Sequence, residues 1–488
     1  MTRLWKIPVL VSLLCSGCTI GPRYQRPVAQ TPAALKEMAG NDQWKMAAPG
    51  DSLPKGKWWE IFGDPELNRL EELVNINNQN VKVAEAQFRQ ARATVLANHA
   101  NYYPTIGSNP SISQSYVEKK ANHSFSLPAV ATWEPDLWGR VRTTVQSAVS
   151  SAQVSAADLE NIRLSQQALL ATDYFLLAAQ DMQLKVLSGT IETYEKNLQL
   201  TVNRHAGGVA SRSDITLAQT QLAAAKAQSA EMRIARAQDE HAIAMLTGQQ
   251  PASLEIGVST IGGPPPPIPV GVPSQLLERR PDIAASERQV ATANSNIGLA
   301  ETAYYPTLTL SASPGFISSS LVNLFTYASR SWSAGPSLSQ TLFDFGRRGA
   351  AVEGAQAAYD ATVASYRQTV LSAFQEVEDD LADLRYLAEE AVREQEAVVA
   401  AQEALGLEMD RYRAGTDSYL NVITTQIILL GDEQTAITIL QRRMSAAVDL
   451  IKALGGGWDA STLPSVNVLR SSALDPKSTP NAAPASSK

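Results

Sequence analysis

Apolar positions along this chain repeat with two periods. Ile423, Leu430, Ile437, Met444 and Ile451 recur every seven residues, Leu420, Ile427 and Val448 fill the interleaved register, and Gln434 and Gln441 are polar exceptions. A seam sustained over more than four heptads predicts a long helix packed against another in coiled-coil fashion. Elsewhere the period is two. Leu308, Leu310, Ala312 and Phe316 alternate with Thr307, Thr309, Ser311 and Ser313; Trp332, Ala334, Leu338 and Leu342 alternate with Ser331, Ser333, Ser337, Ser339 and Thr341. In the first half Phe125, Leu127, Ala129, Ala131 and Trp133 alternate with Ser124, Ser126 and Thr132. Strands are therefore expected at 124–134, 307–316 and 331–343, with a weaker member at 105–116. A soluble sheet with one wet face would show the same alternation. Each stretch, however, has roughly the 9–11 residues of a tilted membrane strand, and no apolar run elsewhere is long enough to span as a helix. Leu308, Leu310, Trp332 and Leu338 are then expected to face lipid, and Ser311 and Ser337 the lumen. Pro110, Pro128, Pro314 and Pro336 predict bends or bulges in these strands.

Proline and glycine punctuate the rest. Asp64-Pro65 reads as an N-cap and first helical residue, and Tyr102-Tyr103-Pro104 and Tyr304-Tyr305-Pro306 each end a helix before the strands. No proline occurs from Asp136 to Gln250 or from Ser337 to Leu463. Each run has one interruption, Arg204 to Ile215 and Arg411 to Val422, where Gly208 and Gly415 suit the left-handed residue ending a helix. The Thr416-Asp417-Ser418 cluster offers N-cap oxygens to the helix that follows. About 70 residues from Gly139 to Gly208 predict a rod of roughly 100 Å. Gly139 and Gly346, Gly208 and Gly415, and Gly248 and Gly455 share one offset, 207, which predicts an internal duplication. The organisation read from this is a lipidated extended arm at 18–56, a first repeat at 57–248 with its tip near 204–215, and a Pro-rich linker at 249–275. A second repeat at 276–458 follows, with its tip near 411–422, and then a disordered tail at 459–488.

Composition changes the picture mainly by exclusion. A basic start, the apolar run Ile7 to Leu14 and small residues before Cys18 predict a signal peptide over 1–17. Its ending resembles a lipobox, although Cys15 stands where leucine is usual, so Cys18 is the expected lipidated residue. With Cys15 removed and Cys18 acylated, no thiol remains for catalysis or metal binding. Loss of Arg3 and Lys6 takes the formal charge from −7 to −9, which argues against a nucleic-acid partner. Only 6% of residues are aromatic, and the abundant small residues suit close helix packing. His99, His123, His205 and His241 lack metal-ligand spacing, and no phosphate, dinucleotide or nucleophile motif is present. Glu376, Glu378, Asp379, Asp380 and Asp383 read as a solvated stripe. No catalytic, metal or cofactor site is assigned.

Cys18 with Tyr24-Gln25-Arg26-Pro27, Trp58-Trp59 with Asp64-Pro65, the stretch from Leu277 to Ile283, both Tyr-Tyr-Pro stops and the stretch from Lys452 to Trp458 together resemble the TolC-type outer-membrane efflux proteins. The resemblance is to their lipoprotein branch, the NodT or OprM-like family, over roughly 18–458. It implies a mainly α fold with a membrane β-barrel: a homotrimer sharing one 12-stranded barrel, continued by an α-helical coiled-coil barrel across the periplasm and girdled by a mixed equatorial domain. It further implies a lipid-anchored exit duct in the outer membrane of a Gram-negative cell, exporting drugs or other toxic small molecules. The implied partners are outer-membrane lipids, a periplasmic membrane-fusion adaptor and an inner-membrane transporter of the resistance-nodulation-division type. Heavy-metal efflux and type I protein secretion use the same fold, and a periplasmic coiled-coil scaffold would explain the rods but not the strands. By position the family's periplasmic gate carries over to Asp214, Tyr412 and Leu420. Asn421 and Thr424 stand where relatives are commonly acidic. Arg411, Arg413 and Asp417 could add ion pairs to the gate or serve only as capping and surface groups.

Overall fold

The computed structural model describes residues 20–32, 34–37, 56–117, 120–268, 270 and 278–471, so the signal segment and Cys18 lie outside the described residues. Asp64 starts α1 (Pro65–Asn77), accepting the amides of Glu66 and Leu67 at 2.8 and 3.0 Å. Asn78 caps α2 (Gln79–His99) in the same way. Two uninterrupted rods then dominate: α3 (Arg140–Ala206) and α6 (Arg347–Ala414), of 67 and 68 residues, about 100 Å each. Between them come α4 (Arg212–Leu246) and α5 (Pro281–Thr302); after α6 come α7 (Tyr419–Ala453) and the short α8 (Val466–Arg470). α4 and α7 have 35 residues each and complete the tip-proximal parts of the rods, while α2 and α5 pack near the sheet. Gly248 and Gly455 both adopt positive φ, 68° and 90°. There the chain passes so close to the carbonyls of Asn77 and Arg279 that a Cβ would collide, so only glycine fits.

The largest core cluster lies where the two halves meet the N-terminal arm. Trp58, Trp59, Leu67 and Leu70 pack with Leu170, Tyr174, Leu177, Ile243, Ile283, Tyr366, Leu381 and Ile451. Polar ties surround it. The second oxygen of Asp64 accepts from the Tyr174 hydroxyl at 2.8 Å, and Asp181 holds Arg236 at 2.5 Å while accepting the Ser259 amide. Buried Arg280 reaches Asp282 and Glu376 at 2.7 Å and the Ala453 carbonyl at 3.0 Å. The acidic stretch of α6 is thus only in part a solvated stripe: Glu376, Asp379 and Asp383 are exposed, but two of its members are engaged. Glu376 serves Arg280, and Glu378 accepts the amides of Lys36 and Glu37, because the N-terminal arm folds back over the helix. Along α7, Ile423, Ile437, Met444, Val448 and Ile451 are buried, but Leu420 and Ile427 are 56% and 51% exposed. The interleaved register is thus uncovered toward the tip, at Leu420 and Ile427, and covered at its far end, where Val448 is buried.

The sheet occupies one end of the rods. It comprises β1 (Thr105–Ser108), β2 (Ser111–Val117), β3 (Lys120–Trp133), β4 (Thr307–Ala312), β5 (Gly315–Ser318), β6 (Arg330–Ser331) and β7 (Ala334–Ser339). All pairings are antiparallel. β1 and β2 line one edge of β3, β4 and β5 line the other, and β7 and β6 lie outside β4 and β5, which gives four lanes. Breaks fall at Asn109-Pro110 and Ser313-Pro314. The expected bends at Pro128 and Pro336 do not occur, since Pro128 lies opposite the gap between β1 and β2 and Pro336 sits in an outermost lane. The last lane ends at Ser339, short of the expected 343.

The tail also departs from expectation. Instead of being disordered from 459, the chain makes a helical turn at Ala460–Thr462, capped by Asp459, and then forms α8. Leu469, fully buried, packs against Val95, Val145, Val149 and Ala152, and Arg92 donates to the Ser471 carbonyl at 3.0 Å. A few apolar residues at helical spacing anchor this segment within an otherwise polar composition. Residues 472–488 lie outside the described residues.

Candidate functional site at the hairpin tips

At the first tip, Ser211 and Asp214 form a capping box. The Asp214 amide donates to Ser211 Oγ at 3.1 Å, and the Ser211 amide donates to Asp214 Oδ2 at 2.9 Å. At the second tip, the Gly415 amide donates to the Tyr412 carbonyl at 3.0 Å and the Thr416 amide to the Arg411 carbonyl at 3.1 Å. Ser418 is the N-cap residue of α7, yet its side chain caps nothing. Asp417 instead accepts the Ser418 amide and Asn421 Nδ2, both at 2.7 Å. That backbone hydrogen bond leads the influences holding its carboxyl below the usual range.

The two tips of one chain are locked together by tyrosines. Tyr412 and Tyr419 are 4% and 3% exposed with ring centroids 5.2 Å apart, among Ala218, Val422 and Ile423. The Arg204 guanidinium lies 4.6 Å above the Tyr412 ring and donates to the Arg413 carbonyl at 3.0 Å. Thr201 Oγ1 is 3.4 Å from the Tyr412 hydroxyl. Burial, ahead of the neighbouring Tyr412, pushes the Tyr419 phenol up to about 12.

Of the residues expected here, Tyr412 is therefore a buried link between hairpins, and the charged ones take local partners. Arg411 pairs with Glu408 at 3.0 Å, Arg413 with Asp410 at 3.5 Å, and Asp214 with its own helix start. Leu420 projects outward, more than half exposed, and Thr424 Oγ1 donates to the Leu420 carbonyl at 2.9 Å. Sequence reasoning missed Arg204, Tyr419 and Thr201. The signal for Arg204 was present, because the 207-residue offset places it opposite Arg411.

Above the tips, the sheet sorts its side chains by chemistry. Leu308 pairs directly with Leu338, Leu310 with Pro336 and Trp133 with Leu310 on one face; Thr309 pairs with Ser337, Ser311 with Gly335 and Thr132 with Ser311 on the other. An exposed apolar sheet face at one end of 100 Å helical hairpins defines the class of TolC-like outer-membrane channels. The chain belongs to the outer membrane efflux protein family, whose model matches residues 71–249 and 272–456. It is similar to the solvent efflux pump outer membrane protein SrpC of Pseudomonas putida, 30% identical over 472 residues, covering 93% of this chain and 98% of the relative. The outer membrane protein OprJ of Pseudomonas aeruginosa is 30% identical over 465 residues, covering 92% and 95%. Among solved structures the outer-membrane channel OprN matches with a TM-score of 0.83 at 30% identity, covering 90% of this chain and 100% of that one. The protein is thus an efflux channel of the outer membrane, from a family of ducts rather than of enzymes.

Proposed function

We propose that three copies of this chain form the exit duct of a tripartite pump that exports drugs or other toxic small molecules. The observation that carries this reading is the pair of open outer lanes, β1 with β2 and β7 with β6, on a sheet with one apolar face. Hydrocarbon does not tolerate unpaired backbone edges, and three sets of four lanes close a 12-stranded barrel. The uncovered Ile427 supplies the matching contact between copies in the helical barrel. Rods of 67 and 68 residues, return helices of 35 each, and glycines of positive φ at 139 and 346, 208 and 415, and 248 and 455 support an internal duplication. A periplasmic membrane-fusion adaptor and an inner-membrane transporter complete the pump and supply its energy, and Cys18 carries the lipid anchor.

In this reading the hairpin tips are the periplasmic gate. Tyr412 and Arg204 hold the two hairpins of each copy together, and Leu420 forms an apolar constriction. Arg411, Arg413, Asp417 and Asp214 stiffen the turns, with Asn421 and Thr424 in place of an acidic ring. The face of the described strands assigned to the lumen is mainly serine and threonine, which suits mixed substrates such as the solvents in the name of SrpC. The test has two arms. Native mass spectrometry of the purified full-length protein should give a trimer, and a deletion strain should become sensitive to several drugs or solvents. A monomer in the first arm, or unchanged susceptibility across drugs and solvents in the second, overturns the proposal.

A further inference from the structure

Phe316 in β5 is paired with Arg330 in β6, so the two side chains share the apolar face of the sheet. Along that last lane the apolar-face row reads Arg330, Trp332, Ala334, Pro336, Leu338: one cation at the head of an apolar series. The guanidinium of Arg330 lies 4.7 Å from the Tyr327 ring centroid, and no carboxylate pairs with it among the described residues. The loop between β5 and β6 is built to hold this arrangement. Ser329 Oγ and Thr326 Oγ1 both donate to the Asn323 carbonyl, at 2.7 and 2.8 Å, while Leu324 is buried. Phe325 stacks edge-on against Phe316 with ring centroids 5.5 Å apart, which continues the apolar face beyond its strand. Val322, Phe325 and Tyr327 stay exposed, Tyr327 at 82%.

An arginine on the lipid face is unfavourable at the bilayer midplane and nearly neutral at the headgroups. The eight residue steps from Leu338 to Arg330 span about 20 Å of height once strand tilt is allowed for, most of an apolar band about 25 Å tall. The loop lies at the end of the sheet away from the helices, hence on the outer side. We propose that Arg330, framed by Tyr327 and Phe325, binds the phosphorylated headgroup of an outer-leaflet lipid and sets the depth of the barrel in the membrane. This rests on the barrel reading above, and the trimer mass in the same experiment reports separately on that reading.

The full-length protein is placed in phosphatidylcholine nanodiscs carrying either bisphosphorylated or dephosphorylated lipid A, and retained lipid is counted by native mass spectrometry. Arg330→Gln should retain about fivefold less phosphorylated lipid per subunit, the factor matching about 1 kcal/mol for one arginine at an anionic surface. Arg330→Lys should recover most of it, and the dephosphorylated lipid should not distinguish the three proteins. Equal retention by wild type and Arg330→Gln, as when a carboxylate of a neighbouring copy occupies the arginine, overturns the proposal. If Arg330→Gln does not assemble, the wild-type preference for phosphorylated lipid decides. A preference that falls with ionic strength supports the site, and no preference rejects it.

Discussion

Asp380 on α6 faces Asp449 on α7, with Glu376, Asp383 and Asp379 nearby, and burial followed by these carboxylates pushes its pKa up to about 8. In the unfolded chain the same group titrates near ~3.9. Between those values the folded protein holds a proton that the unfolded chain has lost, so this group's contribution to stability falls as pH rises from about 4 to about 8. Asp380→Asn should flatten the pH dependence of the melting temperature over that window and raise it at pH 8. Parallel melting curves for the two proteins would remove Asp380 as the cause. At the tips, Asp214→Ala removes a capping box and Tyr412→Phe removes a hydroxyl while leaving the ring under Arg204. Together they should raise single-channel conductance in planar bilayers without lowering trimer yield. Arg204→Ala, which breaks the link between hairpins directly, should raise it further. Conductance unchanged in both variants, with intact trimers, would move the closing contacts elsewhere.

At the scale of elements, the period-two alternation identified the strands and the pairing register identified the faces. Because Leu308 sits directly opposite Leu338 and Thr309 opposite Ser337, a shift of one residue would exchange every side chain of the apolar face for one of the polar face. Leu310→Arg should therefore cost roughly 2–4 kcal/mol if it lies near the bilayer midplane, whereas Ser311→Arg should alter conductance with little loss of folded trimer. Heat-modifiable gel mobility compares the two, and equal tolerance contradicts the register. The proline expectations divided for a physical reason: a missing donor matters only where the ladder needs one. Pro128 and Pro336 occupy places where it does not, while Pro110 and Pro314 lie at the breaks.

For the whole molecule, the proposed membrane attachment has two sources, the lipid at Cys18 and the barrel shared by three copies. The sheet edges and exposed seam residues of α7 do not involve the anchor. Cys18→Ala behind a cleavable replacement signal should therefore still give trimers in the outer membrane, as judged by fractionation and native mass. Loss of trimers in that variant would make the anchor part of assembly.

Much of this architecture was written locally. Heptad spacing fixed the long helices, proline-free runs fixed their length, and glycines at one offset fixed the turns. Each of these depends only on residues close in the chain, so the sequence alone determined rods, tips and strands. Tertiary structure decided which partners those residues found. Arg204 met Tyr412 only because two hairpins lie side by side, and Glu376, still half-exposed, gained Arg280 as a partner only because the second repeat's first helix starts beside it. Leu469 ordered a segment of polar composition by entering a pocket on α2 and α3. Contacts between segments far apart in the chain leave no periodic trace, because each side supplies a single residue and the geometry that joins them belongs to the fold.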